Sequence, residues 1–521
     1  MKHNLIPLSL AHEVKENILG YLNTTYNIHN RTFNTALQKF LQQNLCHPPY
    51  IDIKLPFKQA DNNDTGLDLS LPFTPFVHQT QAMQRLTSKN KLPDNTIIVT
   101  GTGSGKSECF FVPIIDHCLR ERHTAGIKAI LIYPMNALAN DQASRIVEFL
   151  FNNQAITPDS NKLPLVSVGM LIGDTRDRSG RSGRSKVMHK TYQDGKETYH
   201  IIDDRNTMIA NPPDILLTNY KMLDYLLMKP EFANLWQQPA TLQYLVLDEM
   251  HTYDGAQGAD VAFLIRRLKA KLNLKRSEAK NKLARSFRTS AESIDRRSMN
   301  LNNITCVGTS ATLVSNTDSQ TTLTVFAEKL FGEKFTHGSI ITETCQTVDE
   351  VFQNIDNNLT TIPPDTEALD YRQYKTLAEY LQAQTTLWFA NTTINDNTEL
   401  AQYIQRHTLT YVLIKIFAEI DKPLTEQQLL KNLSDKRHQL SSAQLASYLA
   451  LLVHTPLYHV RVQLWLRELR RLLVSLDNDK PQFVWQEDID ENKTQAHLPP
   501  VFCEECGEVG YLCARACRHF A

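Results

Sequence analysis

TIIVTGTGSGKS, residues 96–107, is the stretch of sequence that most strongly determines the fold. Its first residues, Thr96 to Val99, are apolar or β-branched and predict a short strand. A glycine-rich turn follows, and Lys106-Ser107 leads into an apolar segment that predicts a helix. A strand, a glycine-rich turn and a helix in this order suit phosphate binding, because backbone N–H groups and the helix N-terminus face the anion. The competing interpretation is a Gly/Ser-rich turn without function.

The residues of this loop have distinct expected roles. Lys106 would reach the β- and γ-phosphates of a nucleotide, and Ser107 would bind Mg²⁺. The strict phosphate-loop pattern has a glycine where this sequence has Thr100, which is a departure from it. The other residues expected to surround the nucleotide are Thr102, Gly103, Ser104 and Gly105.

Short runs of Ile, Leu and Val recur between about residues 71 and 335. Such continuous apolar runs are typical of parallel strands covered on both faces. Their alternation with amphipathic segments predicts an α/β fold, a mostly parallel sheet with helices on both faces. The predicted strands are 96–100, 127–133, 165–172, 214–217, 244–247 and 304–307.

Changes of sequence texture divide the chain into four expected segments. They are an N-terminal helical region (1–70), the α/β nucleotide-binding domain (71–335), a helical accessory region (336–476) and a connector with a cysteine-containing tail (477–521). Polar insertions at about 175–205 and 273–300 interrupt the second segment.

A pair of acids follows another predicted strand, in YLVLDEMH at 244–251. Adjacent carboxylates at the end of a strand suit metal-assisted phosphate chemistry. Asp248 would hold Mg²⁺ through water, and Glu249 would orient and deprotonate the attacking water. Alone, such a pair is more often solvated surface acid. Its place downstream of a phosphate-binding loop favours the catalytic interpretation.

GTSAT at 308–312 adds a third motif, and with it the sequence resembles the superfamily 2 DExH/DEAD-box helicases. TGTGSGKS, DEMH and SAT resemble that family's motifs I, II and III, in the same order. The resemblance implies a RecA-like P-loop NTPase domain that uses ATP and Mg²⁺. It also implies roles for named residues: Lys106, Asp248, Glu249 and His251 in catalysis, and Ser310, Ala311 and Thr312 in coupling the nucleotide to the nucleic acid.

Three further segments extend this resemblance. YPMNALANDQ (133–142) is similar to motif Ia and DILLTNYKML (214–223) to motif Ib, and both lie along nucleic acid in the family. FVHQ (76–79) resembles the adenine-binding Q element, in which Gln79 would bond the adenine edge and Phe76 would stack nearby. The residues expected to contact nucleic acid are Pro134, Asn136, Gln142, Thr218 and Asn219.

A finer resemblance follows motif II. HTYDGAQGADVAFLIRRL (251–268) and AEKLFG (327–332) are similar to a bacterial branch that holds Lhr-like, repair-type and phage-defence helicases. This resemblance implies DNA as the preferred partner, without excluding RNA, and a role in DNA repair or phage defence.

Charge and cysteine content set broad limits. Lys plus Arg is 55 against 56 for Asp plus Glu, so nucleic acid would be held by local basic patches. The segment 176–186, RDRSGRSGRSK, is such a patch or a solvated insertion. Cysteines isolated along most of the chain, and the lack of a signal peptide or an apolar span, predict a cytoplasmic protein without membrane contact.

CEECG at 503–507 resembles half of a zinc site, because CxxC lets two thiolates face one ion. Cys503 and Cys506 would be ligands of Zn²⁺, which needs four. Cys513 and Cys517 could complete the set in cramped loops. The alternative is that the chain binds no zinc.

A second RecA-like lobe with an arginine-bearing motif is expected from the family but is not recognisable after residue 335. We expect truncation of a longer helicase gene by a frameshift or an early stop, or a second polypeptide that carries this lobe. The first functional hypothesis is therefore a helicase or translocase, and the second is a nucleotide-dependent binding module with little or no turnover.

Overall fold

The computed structural model divides the chain into two compact units. One unit is residues 57–344, and the other combines residues 1–56 with 345–521. The four segments predicted along the sequence stay predictions, and the structure adds that the first 56 residues pack with the C-terminal part. The structure describes residues 6–26, 28–61, 64–101, 103–157, 163–173, 185–193, 196–238, 240–286, 304–311, 317–336, 338–352, 361–389, 397–420, 422–455, 457–476, 480–489, 496–503 and 505–513.

Helices occur in both units. In the described residues they are α1 (Pro7–Thr25), α2 (Arg31–Asn44), α3 (Val77–Leu86), α4 (Lys106–Arg120), α5 (Asn136–Asn152), α6 (Arg205–Ala210), α7 (Tyr220–Met228), α8 (Gly255–Ser286), α9 (Thr317–Phe331), α10 (Val348–Val351), α11 (Leu377–Trp388), α12 (Asn397–Arg406), α13 (Thr408–Ile420), α14 (Glu426–Asp435) and α15 (Ser442–Val453). None of these helices combines the length and the apolar character needed to cross a bilayer.

The strands form one large sheet and several small ones. They are β1 (Tyr50–Lys54), β2 (Thr96–Val99), β3 (Ala129–Tyr133), β4 (Val168–Leu171), β5 (His189–Gln193), β6 (Lys196–His200), β7 (Ile215–Asn219), β8 (Tyr244–Leu247), β9 (Thr305–Ser310), β10 (Ile340–Thr342), β11 (Leu424–Thr425), β12 (His459–Gln463), β13 (Leu472–Ser475), β14 (Phe483–Trp485), β15 (His497–Leu498), β16 (Pro500–Phe502) and β17 (Val509–Tyr511).

A seven-stranded parallel sheet organises the unit of residues 57–344. Its strand order is β10-β2-β9-β8-β3-β7-β4, and every adjacent pair is parallel. Helices α3, α4 and α5 cover one face, and α7, α8 and α9 cover the other. Along β2, Ile98 packs on the first face while Ile97 and Val99 pack on the second. This alternation explains why the strand is apolar throughout.

The predicted α/β fold is confirmed, and each predicted strand is present within a few residues of its expected position. In this unit, two features of the strands were not predicted. The edge strand β10 is only three residues long, and the β5–β6 hairpin lies in the polar insertion at 175–205. The two strands, HKTYQ and KETYH, are almost entirely polar and so lack the apolar signal that identified the other strands.

In the second unit, β1 is the central strand of a small antiparallel sheet. It pairs with β11 on one side and with β12 on the other. Helices α11, α12, α13 and α15 contribute most of the core around this sheet, in which Trp388, Leu413 and Leu449 are buried. Helices α1 and α2 form a further cluster with β13 and β14, centred on Phe33 and Trp485.

A buried histidine, His407, directly precedes helix α13. The His407 ring is surrounded by the rings of Trp388, Phe389 and Tyr448, at centroid distances of 6.1, 5.7 and 5.4 Å. Its Nε2 donates to the Thr361 carbonyl (3.3 Å), and its Nδ1 accepts from Leu409 N (3.1 Å). Only the neutral ring can make both bonds, and burial lowers the pKa of His407 to about 4.

This histidine predicts that the C-terminal unit loses stability in acid. A pKa of about 4 in the folded state, against 6.5 in the unfolded state, makes protonation favour unfolding as the pH falls below 6.5. We expect the free energy of unfolding of this unit to be lower by about 2 kcal/mol at pH 5 than at pH 7.5 from this group. Denaturant titrations followed by tryptophan fluorescence measure it.

The matched variant is His407→Asn. An asparagine at this position can still accept the bond from Leu409 N, as helix N-caps do. We expect it to flatten the pH dependence between pH 7.5 and 5. An unchanged pH dependence in the variant would show that another group causes the acid sensitivity.

Candidate active site

The glycine-rich loop lies between β2 and α4, with a left-handed backbone at two glycines. Gly103 has φ +83° and Gly105 has φ +72°, conformations that L side chains rarely adopt. A Cβ on Gly103 would meet nothing within 4 Å, so this side of the loop is open. Thr100, which departs from the strict pattern, does not have a positive φ and donates its N–H to the Ser310 carbonyl (3.3 Å). Threonine at this position therefore causes no backbone strain.

Side chains from outside the loop hold its backbone. His78 Nε2 donates to the Ser104 carbonyl (2.8 Å), and Gln79 Nε2 donates to the Gly105 carbonyl (3.1 Å). Glu343, directly after β10, accepts from Gly101 N (2.7 Å). The bonds from His78 and Gln79 turn two loop carbonyls towards the protein, which leaves the amides of the following turn to face an anion. Glu343 instead occupies the Gly101 amide.

Gln79, predicted to bond adenine, thus already contacts the loop. Its Oε1 also accepts from Phe76 N (2.9 Å), which makes it the capping residue of α3. The Phe76 ring stacks on the His78 ring, with centroids 5.6 Å apart and planes inclined by 17°. The adenine roles of Gln79 and Phe76 stay predictions.

Asp248 lies at the carboxyl end of β8, where it is 5% exposed. The Thr309 hydroxyl donates to the Asp248 carboxylate, and the hydroxyl oxygen of Thr309 accepts from Glu249 N (3.0 Å). Burial raises the pKa of Asp248, while the bond from Thr309 and the nearby Lys106 ammonium oppose this change. A buried carboxylate of this kind is stabilised by a cation.

Glu249 has φ +47°, a left-handed conformation that is costly for a residue with a side chain. One carboxylate oxygen accepts from the Lys106 ammonium, and the other accepts from Ala311 N (3.2 Å). Residues in sparsely populated conformations concentrate at functional sites, where surrounding bonds fix them. The contact with Lys106 also places the lysine of the loop beside the acid that is predicted to act as a base.

His251 connects this acid to the end of β9. Its Nδ1 lies 3.3 Å from Glu249 Oε2 and 3.1 Å from the Ser310 hydroxyl. Lys106, Glu249, His251 and Ser310 are thus joined in one continuous set of contacts. We call these four residues the acid cluster.

Mg²⁺ fits the chemistry of the site. The Ser107 hydroxyl and the Asp248 carboxylate are oxygen ligands of the kind that Mg²⁺ prefers, and both residues are buried. Near Asp248, the hydroxyls of Tyr133 and Tyr253 are buried without a hydrogen-bond partner in the described part of the chain. Buried polar atoms without a partner indicate space for water or a ligand.

The residues predicted to contact nucleic acid lie after β3 and at the carboxyl end of β7. Asn136 begins α5, Asn219 caps α7, and their side chains are hydrogen-bonded (Nδ2 to Oδ1, 2.8 Å). Pro134, Asn136 and Asn219 are partly exposed. Gln142 and Thr218 are buried, and the Thr218 hydroxyl donates to the Leu171 carbonyl (2.7 Å). All five assignments stay predictions.

Several predicted residues lie outside the described ones. These are Thr102 of the loop, Thr312 of the third motif, most of the basic segment 176–186, and Cys517. Cys503, Cys506 and Cys513 are exposed. Within the ranges that the structure describes, no three His, Cys, Asp or Glu side chains converge as a metal site, so zinc stays a prediction.

His78, Thr309 and Glu343 are site residues that the sequence interpretation missed. His78 and Thr309 stand beside Gln79 and Ser310, within motifs that had been identified, so their neighbourhood was the available signal. Glu343 had no signal, because the contact of β10 with β2 depends on the fold alone.

Comparisons with known proteins agree with this site. Residues 76–319 match the DEAD/DEAH box helicase family. The Druantia protein DruE of Escherichia coli is 30% identical over 50% of this chain and 19% of its own length. The ATP-dependent helicase Lhr-Core of Methanothermobacter thermautotrophicus is 27% identical over 33% of this chain and 18% of its own length. The match therefore spans about a fifth of each of these relatives.

A crystal structure of the DUF1998 helicase MrfA bound to DNA aligns with 59% of this chain and 32% of that chain, at 20% identity and a TM-score of 0.35. The family match covers the glycine-rich loop, the acid cluster and the elements after β3 and β7. Residues 76–319 of this chain therefore form a DEAD/DEAH box helicase domain with a RecA-like fold.

Proposed function

We propose that this chain is the ATP-binding part of a helicase or translocase that uses ATP hydrolysis to move along or unwind DNA. The observation that carries the proposal is the acid cluster. It joins the lysine of the phosphate-binding loop, the acid of the second motif and the serine of the third within hydrogen-bond distances. An NTPase without a nucleic-acid partner would not need the third motif or the element after β3.

The contact of Lys106 with Glu249 suggests how nucleotide binding prepares the site. Lys106 is 13% exposed and Glu249 21% exposed, so their charges are only partly screened. Phosphate oxygens at the loop would compete for the ammonium and release the Glu249 carboxylate. The carboxylate, still held by Ala311 N, could then orient water and accept its proton. Ser107 and Asp248 would hold Mg²⁺, which neutralises charge on the phosphates.

Efficient hydrolysis needs more than this domain. In related phosphoryl-transfer enzymes, an arginine from a second domain or partner stabilises the transition-state charge. We propose that a second RecA-like lobe provides it, either elsewhere in a longer protein or on another polypeptide. Without that lobe, the chain would bind nucleotide and nucleic acid with little turnover, which is the second candidate function.

DNA is preferred to RNA because of the resemblance to the Lhr-like, repair and phage-defence branch. A role in one of those pathways, in the reducing cytoplasm, is part of the same proposal. The hydrogen-bonded Asn136–Asn219 pair is the described feature that best fits contact with a phosphate backbone, since amide side chains commonly bond phosphate oxygens.

The proposal predicts that two substitutions separate binding from turnover. Lys106→Ala should weaken ATP binding by about 10- to 100-fold, the effect of losing a hydrogen bond to a charged group. Glu249→Gln should keep ATP binding but lower kcat by about 10²- to 10⁴-fold, as expected for loss of a general base. Nucleotide titration and phosphate release, with and without single-stranded DNA or RNA, measure these effects.

Stimulation of turnover by DNA, lost in both variants, would establish a working motor. ATP binding that depends on Lys106, without turnover, would favour the binding module. If Lys106→Ala leaves nucleotide affinity unchanged, the loop is not the ATP site and the proposal is wrong.

Thr309 is predicted to position both acids of the second motif. Thr309→Val keeps the shape of the side chain but removes the bond to Asp248 and the acceptor for Glu249 N. We expect kcat to fall by about tenfold with little change in ATP affinity. Thr305→Val, at the opposite end of the same strand, is the matched control. Equal loss of activity in both variants would indicate damage to β9 and not a role in the site.

A further inference from the structure

Glu108 and Arg145 form an ion pair between two helices that begin in different motifs. Glu108 is in the first turn of α4, next to Ser107, and Arg145 is in the middle of α5. Glu108 Oε1 accepts from Arg145 Nη2 at 2.6 Å. The pair lies on the face of the sheet that α4 and α5 cover, whereas the acid cluster lies at the carboxyl ends of β8 and β9.

The second oxygen of Glu108 is next to the phosphate-binding loop. Oε2 is buried and has no hydrogen-bond partner among the residues that the structure describes. A Cβ built on Gly105 would lie 3.4 Å from this oxygen, so the loop backbone passes close to the carboxylate. A displacement of the loop at Gly105 would therefore change the surroundings of the Glu108 carboxylate.

Stability does not explain this arrangement. The Arg145 side chain is 43% exposed, and partly exposed ion pairs contribute little to folding. The buried oxygen without a partner opposes folding, as does the Tyr133 hydroxyl nearby. Burial and the Asp248 charge raise the pKa of Tyr133, and the Arg145 charge opposes this change, so the hydroxyl stays neutral.

Helix α5 connects Arg145 to the predicted nucleic-acid contact. It lies nine residues along α5 from Asn136, a distance of about 14 Å on a helix. The Asn136 side chain bonds Asn219, at the start of α7. A displacement of α5 would therefore move the first residues of two elements expected to contact nucleic acid.

We propose that the Glu108–Arg145 pair is a positioning link that couples the occupied phosphate-binding loop to helix α5 and, through it, to the nucleic-acid contact. Phosphates bound at the N-terminus of α4 add negative charge beside Glu108. The carboxylate is then less stable beside the loop and is held against Arg145, so the existing contact is harder to break. Because α5 is helical throughout, a more persistent contact at Arg145 restrains the helix as far as Asn136. This inference rests on the proposed function.

Hydrogen exchange of the α5 amides tests the link, with Mg²⁺ and the non-hydrolysable analogue AMP-PNP as the probe. In the unmodified chain we expect AMP-PNP to slow exchange of amides 140–145 by about fivefold or more, the lower end of typical coupling between sites. In Glu108→Gln and Arg145→Gln this slowing should largely disappear, while AMP-PNP affinity stays within about threefold. Arg145→Lys, which keeps the charge, should retain part of it.

Glu148→Gln is the control, because it removes a charge from the same helix one turn later. It should leave the response intact. AMP-PNP binding to the unmodified chain without slower exchange in α5, or a full response in Glu108→Gln, would overturn the link. If AMP-PNP does not bind the unmodified chain at all, the proposed function fails, and the link fails with it.

Discussion

Parallel hydrogen bonding of β9 with β2 on one side and β8 on the other is the constraint on which the site depends. The chain crosses the sheet between these strands, so the three loops after them come from distant parts of the sequence. Because parallel strands end at the same edge, the loop lysine, the paired acids and the serine meet there. The fold of the remaining sheet holds these three strand ends in register.

Much of this arrangement could be predicted, because its signals are local. Continuous apolar runs identified the strands, and the glycines at 103 and 105 lie where the loop has a left-handed backbone. Long-range pairing could not be predicted. The contact of β1 with β12 joins segments about 400 residues apart, and β10 contributes only three residues to the edge of the sheet.

The contacts among the site residues are long-range as well, and they could not be predicted either. Lys106 and Glu249 were identified by motif, but their direct contact follows from the neighbouring positions of β2, β9 and β8. Thr309 and Glu343 are ordinary residues in the sequence. They take part in the site only because a particular backbone N–H or carboxylate lies opposite them in the folded domain.

The position of β1 also bears on biosynthesis. Residues 50–54 leave the ribosome early, but their partner β12 follows about 400 residues later, which is a delay of about 20 to 80 s at ordinary rates of translation. The unit of residues 57–344 is continuous and can fold in the meantime. The apolar faces of helices α1 and α2 are buried against later segments of the chain. These faces stay uncovered until those segments have been synthesised. Nascent chains of this protein should therefore depend on chaperones at their N-terminal segment, although the unit with the candidate active site lies downstream.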